Sequence, residues 1–168
     1  MPKYYAGIGA RNTPDPILSK MENFAKALND LGYHLRSGGA KGADSAFERA
    51  TPYTCREIFT EKDATPESIQ LTKYYHPNWK ACNELMKRFH GRNLMIILGK
   101  NLRTPVDFVV CYTWNGKESG GTGQALRIAY GNKITIYNLF HEDHEKYLES
   151  FILRERNNRE RNNLKTIT

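Results

Sequence analysis

Residues 35–50, LRSGGAKGADSAFERA, decide the fold class. They complete the β-rich run YHLRS, continue with three glycines, and end in the pattern of a helix over residues 43–50. Ser45 and Glu48 have the spacing of a capping box, which supports this helix. Such a segment is either a tight strand-to-helix turn and no more, or a seat for a phosphate, because glycine lets the backbone approach an anion and a helix N-terminus attracts it.

The residues before and after this segment repeat the same pattern. The run 3–8, KYYAGI, predicts a first strand, and apolar residues at helical spacing follow it up to Gly32. Asp15 predicts the cap of that helix, with Pro16 at its first position. Residues 54–60, TCREIFT, predict a third strand. This alternation is typical of a parallel sheet with helices on its faces, in which ligands bind at the carboxyl ends of the strands.

The second half of the chain continues the alternation. Residues 61–80 are polar and irregular, with one or two helical turns after Pro66. The apolar run within 92–102 fits a buried strand or a buried helix equally well. Residues 105–114 predict a strand and residues 133–139 the last strand. A closing helix follows from residue 141.

The length and charge favour a single domain with an anionic partner. The chain has 168 residues and a formal net charge of +7. A basic balance favours nucleotides, nucleic acid or acidic protein, although the same balance also serves solubility alone. Residues 154–168 hold five basic and two acidic residues and repeat the motif RERNN. We expect residues 1–153 to form the domain and residues 154–168 to be a basic tail that frays or is disordered unless a partner orders it.

The sequence predicts a cytoplasmic protein. No run reaches the roughly 18 apolar residues of a membrane helix, and the N-terminus lacks the apolar region of a secretory signal. Cys55, Cys82 and Cys111 have no metal-ligand spacing and are interpreted as reduced thiols. We therefore expect no metal, no cofactor and no membrane partner.

Three glycine-rich turns, 7–9, 38–42 and 120–123, each lie between a predicted strand and a predicted helix. Parallel strands would bring all three to one edge of the sheet, which favours a phosphate-bearing ligand over turn geometry alone. Asn12 stands where the dinucleotide fingerprint needs its third glycine, and Lys41 lacks the Walker spacing. A hydrolytic nucleoside triphosphatase is therefore not expected.

Four motifs in order, GIGARNTP, LRSGGAKGADSAFERA, GRN and GGTGQALRIA, resemble the DprA/Smf-like branch of the SLOG superfamily. These Rossmann-like proteins include the LOG nucleotide phosphoribohydrolases, and the chain looks most like the short single-domain members of phage genomes. The resemblance extends over about residues 4–139. It implies a single-domain α/β, Rossmann-like fold, a helix at 92–99, and a nucleotide or single-stranded nucleic-acid site at the carboxyl edge. It also implies a homo-oligomer.

The resemblance also implies a set of ligand-binding residues. Arg11 and Arg92 would add bidentate positive charge, and the glycine amides would hold phosphate oxygens. Asp44 would either read a ribose hydroxyl or cap its helix. Trp114, beside the third turn, would either stack on the ligand or be buried. The full set is Gly7, Gly9, Arg11, Ser37, Gly38, Gly39, Ala40, Gly42, Asp44, Arg92, Asn93, Trp114, Gly120, Gly121, Thr122 and Gln124.

One departure from the family bears on catalysis. The LOG enzymes carry a catalytic glutamate in the turn after their third glycine loop, whereas GGTGQALR has Gln124 and no carboxylate there. We therefore expect non-catalytic binding of a nucleotide or of a cyclic or ADP-ribose-type small molecule, as in phage sequestration of a host-immunity messenger. Single-stranded DNA binding in recombination is the first alternative, and hydrolysis of an N-glycosidic bond is the second.

Two further groups of residues carry weaker signals. His141 and His144 have a spacing that a metal could use, but an acidic first helical turn explains their surroundings better. The aromatic loop of Tyr74, Tyr75, His76 and Trp79 could stack on a base, plug the sheet edge or form a dimer contact.

Overall fold

The computed structural model describes residues 1–167 and shows five strands and six helices within that range. In chain order they are β1 (Lys3–Gly9), α1 (Asp15–Asp30), β2 (Tyr33–Ser37), α2 (Ala43–Arg49), β3 (Arg56–Ile58), α3 (Pro66–Thr72), α4 (Glu84–Leu98), β4 (Phe108–Tyr112), α5 (Gly120–Gly131), β5 (Thr135–Asn138) and α6 (Glu142–Ile167).

The strands form one parallel sheet in the order β3-β2-β1-β4-β5. Strand β1 lies at the centre, where Tyr5 pairs with Phe108 of β4 and with Leu35 of β2. The strand order reverses direction at β1, so the connections from β1 and β4 leave a crevice at their carboxyl ends. The predicted single-domain α/β, Rossmann-like fold is confirmed.

Two hydrophobic cores cover the two faces of the sheet. On one face, Phe24 of α1, Phe47 of α2 and Leu148 of α6 pack against β1, β2 and β4. On the other face, α4 and α5 contribute Leu94 and Leu126. All five residues of β4 are buried, which accounts for the continuous apolar run FVVCY.

The helix starts differ from the sequence-based expectations. The N-cap residue of helix α1 is Pro14, so Asp15 is the first helical residue and not the cap. The capping box of α2 does not form, because Ser45 Oγ donates to the Ala40 carbonyl at 2.7 Å and the N-cap residue is Gly42. The bend at Gly42 therefore fixes where α2 begins.

The ambiguous apolar run of residues 92–102 is a helix. It forms the second half of α4, where residues 94–97 are buried against the sheet. The third glycine-rich segment, residues 120–123, does not precede its helix as expected, because all four residues form the first turn of α5. The loop that remains, residues 113–119, carries Trp114 and the left-handed Asn115, with φ of 52°.

Helix α6 continues through the basic segment. Residues 156–166 are all exposed, and Glu155 forms a 3.6 Å ion pair with Lys3. The domain boundary at residue 153 and the fraying of residues beyond it stay predictions. Across residues 1–167, no helix combines the length and apolarity needed to cross a membrane.

Candidate functional site

A cleft of about 630 Å³ opens at the carboxyl edge of the sheet, beside the centre of the strand order. Its walls are the end of β1 with the loop 10–12, the inner face of α4, the loop after β4 and the first turn of α5. The volume lies within the range of about 300–1,000 Å³ typical of small-molecule sites. The fold thus produces one concave site where a parallel sheet of this order usually binds ligands.

The structure separates the expected site residues into two groups. Ten line the cleft: Gly9, Arg11, Ala40, Asp44, Arg92, Asn93, Trp114, Gly120, Gly121 and Thr122. Six do not line it: Gly7, Ser37, Gly38, Gly39, Gly42 and Gln124. Most of the second group lies in the second glycine-rich turn or packs directly against it.

The second glycine-rich turn already holds an anion, the carboxylate of Asp44. Asp44 Oδ1 accepts the Gly9 amide at 3.1 Å, and Oδ2 accepts the amides of Gly38 at 3.2 Å and Ala40 at 3.4 Å. Burial raises the pKa of this carboxyl to about 6, although Arg92 and the three amides act in the opposite direction. The amides of Gly9 and Gly38, which the sequence analysis assigned to phosphate oxygens, thus donate to a side chain.

Arg92 ties α4 to the same turn. Its Nη1 donates to the Gly38 carbonyl at 2.7 Å and to the Phe59 carbonyl at 3.0 Å. Its Nε is buried and has no hydrogen-bond partner among the described residues. Arg92 therefore both supports the turn and faces the cleft with unused donor capacity.

The residues behind the wall have structural contacts that explain their type. A Cβ on Gly7 would lie 2.5 Å from Phe47 Cγ, so glycine lets α2 pack closely on β1. Ser37 Oγ donates to the Gly7 carbonyl at 2.6 Å and is fully buried. Gly42 has a φ of 84° and faces the Ala10 carbonyl. These residues join the first two turns to each other.

The first turn of α5 offers free amide groups to the cleft. The N-cap residue is Ser119, and Gly120, Gly121 and Thr122 follow it on the cleft side. The amide groups of a first helical turn have no partner inside the helix and attract anions. Asn93 Nδ2 donates to the Gly121 carbonyl at 3.1 Å and so positions this turn against α4.

Gln124 points away from the cleft. Its side chain is fully buried, where Nε2 lies 3.5 Å from the Thr72 carbonyl and Oε1 accepts from Arg127 at 2.6 Å. Gln124, which lies in the turn where the LOG enzymes carry their glutamate, therefore anchors α5 to α3.

The cleft has a positive balance. Arg11, Arg92, Lys117 and Arg127 line it, against a single carboxylate, Asp44, among the described lining residues. Arg11 and Lys117 are exposed, whereas Arg127 is partly engaged by the Tyr75 carbonyl at 3.2 Å. An anionic ligand is the complement of this charge distribution.

Aromatic side chains supply the apolar part of the walls. Trp114 is 48% exposed and lines the cleft, as does Phe89 of α4. Of the two readings of Trp114, stacking on a ligand is compatible with this placement, and burial is not. Within the aromatic loop, His76 lines the cleft, Tyr74 is exposed, and Tyr75 packs at the edge of the second core.

The sequence analysis missed His90 as a lining residue and named His76 only within the aromatic loop. His90 lies on the inner face of α4, and burial lowers its pKa to about 4. Cys82 lies behind these two rings, with its Sγ 3.6 Å from Nε2 of His76. His76, Cys82 and His90 belong to separate local elements, so no short sequence motif indicates that they lie together. His144, of the other histidine pair, accepts the Asn138 amide through Nδ1 at 3.0 Å.

Comparison with known proteins finds a likeness in fold. No protein-family profile matches the chain, and no curated protein matches its sequence. A solved structure of DNA processing protein A from Helicobacter pylori matches with a TM-score of 0.56 and 17% identity. The chain shares its fold with that protein. The match covers 82% of this chain and 65% of the H. pylori chain, so this chain spans slightly less than two thirds of its length.

The H. pylori structure was described for its single-stranded DNA binding mode. At this level of identity the likeness is one of fold, and it agrees with the fold that the motifs predicted. The phage-type branch and homo-oligomer that the resemblance implied stay predictions.

Proposed function

We propose that the cleft binds a nucleotide-derived small molecule through its phosphate groups and does not hydrolyse it. The observation that carries the proposal is the cleft itself. It joins four cationic side chains, the open first turn of α5 and an exposed tryptophan in a volume of about 630 Å³. Amide groups and cations suit phosphate oxygens, and Trp114 suits a base.

The position of Asp44 supports binding without hydrolysis. A general base needs a free carboxylate within reach of the water it activates. Asp44 is the one carboxylate among the described lining residues, and both of its oxygens accept backbone amides. A protein that holds its ligand and returns it intact acts by sequestration, and a host-immunity messenger is the ligand class that the resemblance to phage proteins favours.

Calorimetric titration with ADP-ribose and with a cyclic dinucleotide tests this proposal. Arg11→Ala and Lys117→Ala remove exposed cations of the cleft, and each should weaken binding about tenfold. Lys41→Ala is the matched control, because Lys41 is an exposed cation of the second glycine-rich turn that does not line the cleft. Chromatography of the recovered ligand should show it intact. Release of free base, or equal losses in all three variants, would contradict the proposal.

Single-stranded DNA is a second candidate ligand. The fold likeness to a protein described for binding it, together with the net charge of +7, favours this alternative. A DNA complex would show log K falling linearly with log salt, with a slope of about −0.7 for each phosphate contacted. A small-ligand site would show the slope of about one or two phosphates. Titration of an oligothymidylate at several salt concentrations separates these functions.

A further inference from the structure

We propose that His76, Cys82 and His90 form a Zn²⁺ site in the wall of the cleft. One donor atom from each residue lies within 4.8 Å of the other two. Imidazole nitrogen and thiolate sulfur are the donor types that zinc prefers, and three protein ligands with one open position is the pattern of a zinc that contacts solvent or a bound molecule.

The distances are close to those of a zinc site. Tetrahedral zinc with Zn–S near 2.3 Å and Zn–N near 2.0–2.1 Å holds its donor atoms about 3.3–3.6 Å apart. Cys82 Sγ and His76 Nε2 are 3.6 Å apart, which already fits. The rings of His76 and His90 lie 4.5 Å apart between centroids. The donor atom of His90 lies within 4.8 Å of the other two, so a movement of about 1 Å by its ring would complete the donor triangle.

The state of His90 gives independent support. Its side chain is 8% exposed, and its Nδ1 is buried without a hydrogen-bond partner within residues 1–167. Buried polar atoms are nearly always paired, so an unpaired one needs an explanation. A metal ion supplies the missing partner. Cys82, 7% exposed, is likewise a buried thiol that touches a histidine rather than an apolar core.

The surroundings of the three residues include groups that oppose zinc binding and groups that favour it. His76 Nδ1 accepts the Asn78 amide at 3.1 Å, which leaves the ring proton on Nε2. Zinc at Nε2 therefore requires that proton to move to Nδ1, and this hydrogen bond is then lost. Arg92 and Arg127 line the same cleft and oppose a further cation. The Cys82 thiolate offsets one positive charge of the ion, and a metal–imidazole bond is far stronger than one amide hydrogen bond.

The location gives the site an entry path. His76 and His90 line the cleft, whereas Cys82 does not. An ion held by all three thus reaches the site through the cleft and keeps its fourth position on that side. If the cleft binds a phosphate, as proposed above, this position is available to a phosphate oxygen.

Metal analysis of the purified protein tests the site without any nucleotide. After incubation with Zn²⁺ and gel filtration, we expect about one ion per chain. With Co²⁺ we expect the visible spectrum of a tetrahedral site and a thiolate charge-transfer band. Cys82→Ser and His76→Ala should each lose at least nine tenths of the bound metal. Cys55→Ser and His141→Ala, which change the same residue types elsewhere, should retain it.

A zinc-dependent rise in the melting temperature of the parent protein, absent in Cys82→Ser, is a second readout. Far-UV circular dichroism of the metal-free variants shows whether they fold. His76→Ala changes a partly exposed loop residue and keeps the test decisive if Cys82→Ser does not fold. Parent protein without zinc after gel filtration, or Cys82→Ser with as much as the parent, would overturn the proposal. Nucleotide titration of chelator-treated protein tests the cleft separately.

Discussion

Asp44 and Arg92 hold Gly38 by opposite groups of its backbone: the carboxylate accepts the Gly38 amide at 3.2 Å, and the guanidinium donates to the Gly38 carbonyl at 2.7 Å. The two side chains come from α2 and α4, which lie on opposite faces of the sheet. The second glycine-rich turn is thus the point where the two helical layers meet through polar contacts.

Arg92→Ala should lower the free energy of unfolding by about 2–4 kcal/mol, because it leaves two carbonyls without their charged donor and removes a cation that stabilises the Asp44 carboxylate. Urea denaturation measures this effect. Arg88→Ala is the control, since Arg88 is an exposed arginine of the same helix. Equal stability of the two variants would show that the Arg92 contacts do not support the turn.

The free energy of unfolding should decrease as the pH rises from about 4 to about 6, because Asp44 ionises in this interval. Burial raises the folded pKa of this carboxyl from 3.8 to about 6. A raised carboxyl pKa stabilises the folded state fully below the unfolded pKa, and this contribution is lost as pH rises through the folded pKa. The difference is at most about 3 kcal/mol at 1.36 kcal/mol per pKa unit.

Chemical denaturation at several pH values, compared with Asp44→Asn, isolates this contribution. The asparagine variant cannot ionise, so its stability should change less over this pH interval than that of the parent. Parallel profiles for the two proteins would contradict the raised pKa.

Gly42→Ala should destabilise the protein by about 3 kcal/mol, whereas Gly120→Ala should cost about 1 kcal/mol. Both glycines have positive φ, 84° and 63°. A Cβ at Gly42 would lie 2.7 Å from the Ala10 carbonyl oxygen, and one at Gly120 would meet no atom within 4 Å. Thermal and urea denaturation of the pair separate backbone strain from steric overlap. A larger loss for Gly120→Ala would refute this account.

Binding of a nucleotide should quench the fluorescence of Trp114. Trp114→Phe should remove the quenching, and Trp114→Ala should weaken binding by about 1–2 kcal/mol, the contribution of one stacked base. Trp79→Phe is the control, because Trp79 does not line the cleft. Quenching that persists in Trp114→Phe would show that the base does not stack on Trp114.

Elements fixed by local pattern were predictable from the sequence. The run YHLRS became β2 with the expected bounds, Tyr33–Ser37, because a short run with an aromatic and an apolar residue at alternate positions lies between two glycine signals. Strand β3 is shorter than the predicted 54–60, since a 3₁₀ turn at Tyr53–Cys55 takes its first residues. Propensity gives no signal for that turn.

Features that depend on contacts between distant residues were not predictable. Ser45 has capping-box spacing, yet its hydroxyl bonds to Ala40, because the bend at Gly42 sets the helix start. Asp44 was expected to read a ribose or cap a helix, and no local pattern indicated that its carboxylate accepts amides from both neighbouring turns. His90 of α4 meets His76 and Cys82 only when the loop before α4 packs against that helix.

If the cleft binds an anion, as proposed, the carboxylate of Asp44 makes that binding depend on pH. Asp44 lines the cleft, and its pKa of about 6 lies near neutrality. An arriving phosphate repels the charged form and favours the protonated one, so binding should draw a fraction of a proton from solution. The heat of binding would then depend on the ionisation enthalpy of the buffer, and affinity would increase on acidification. Through one buried side chain, the pH of the medium would then regulate the proposed binding.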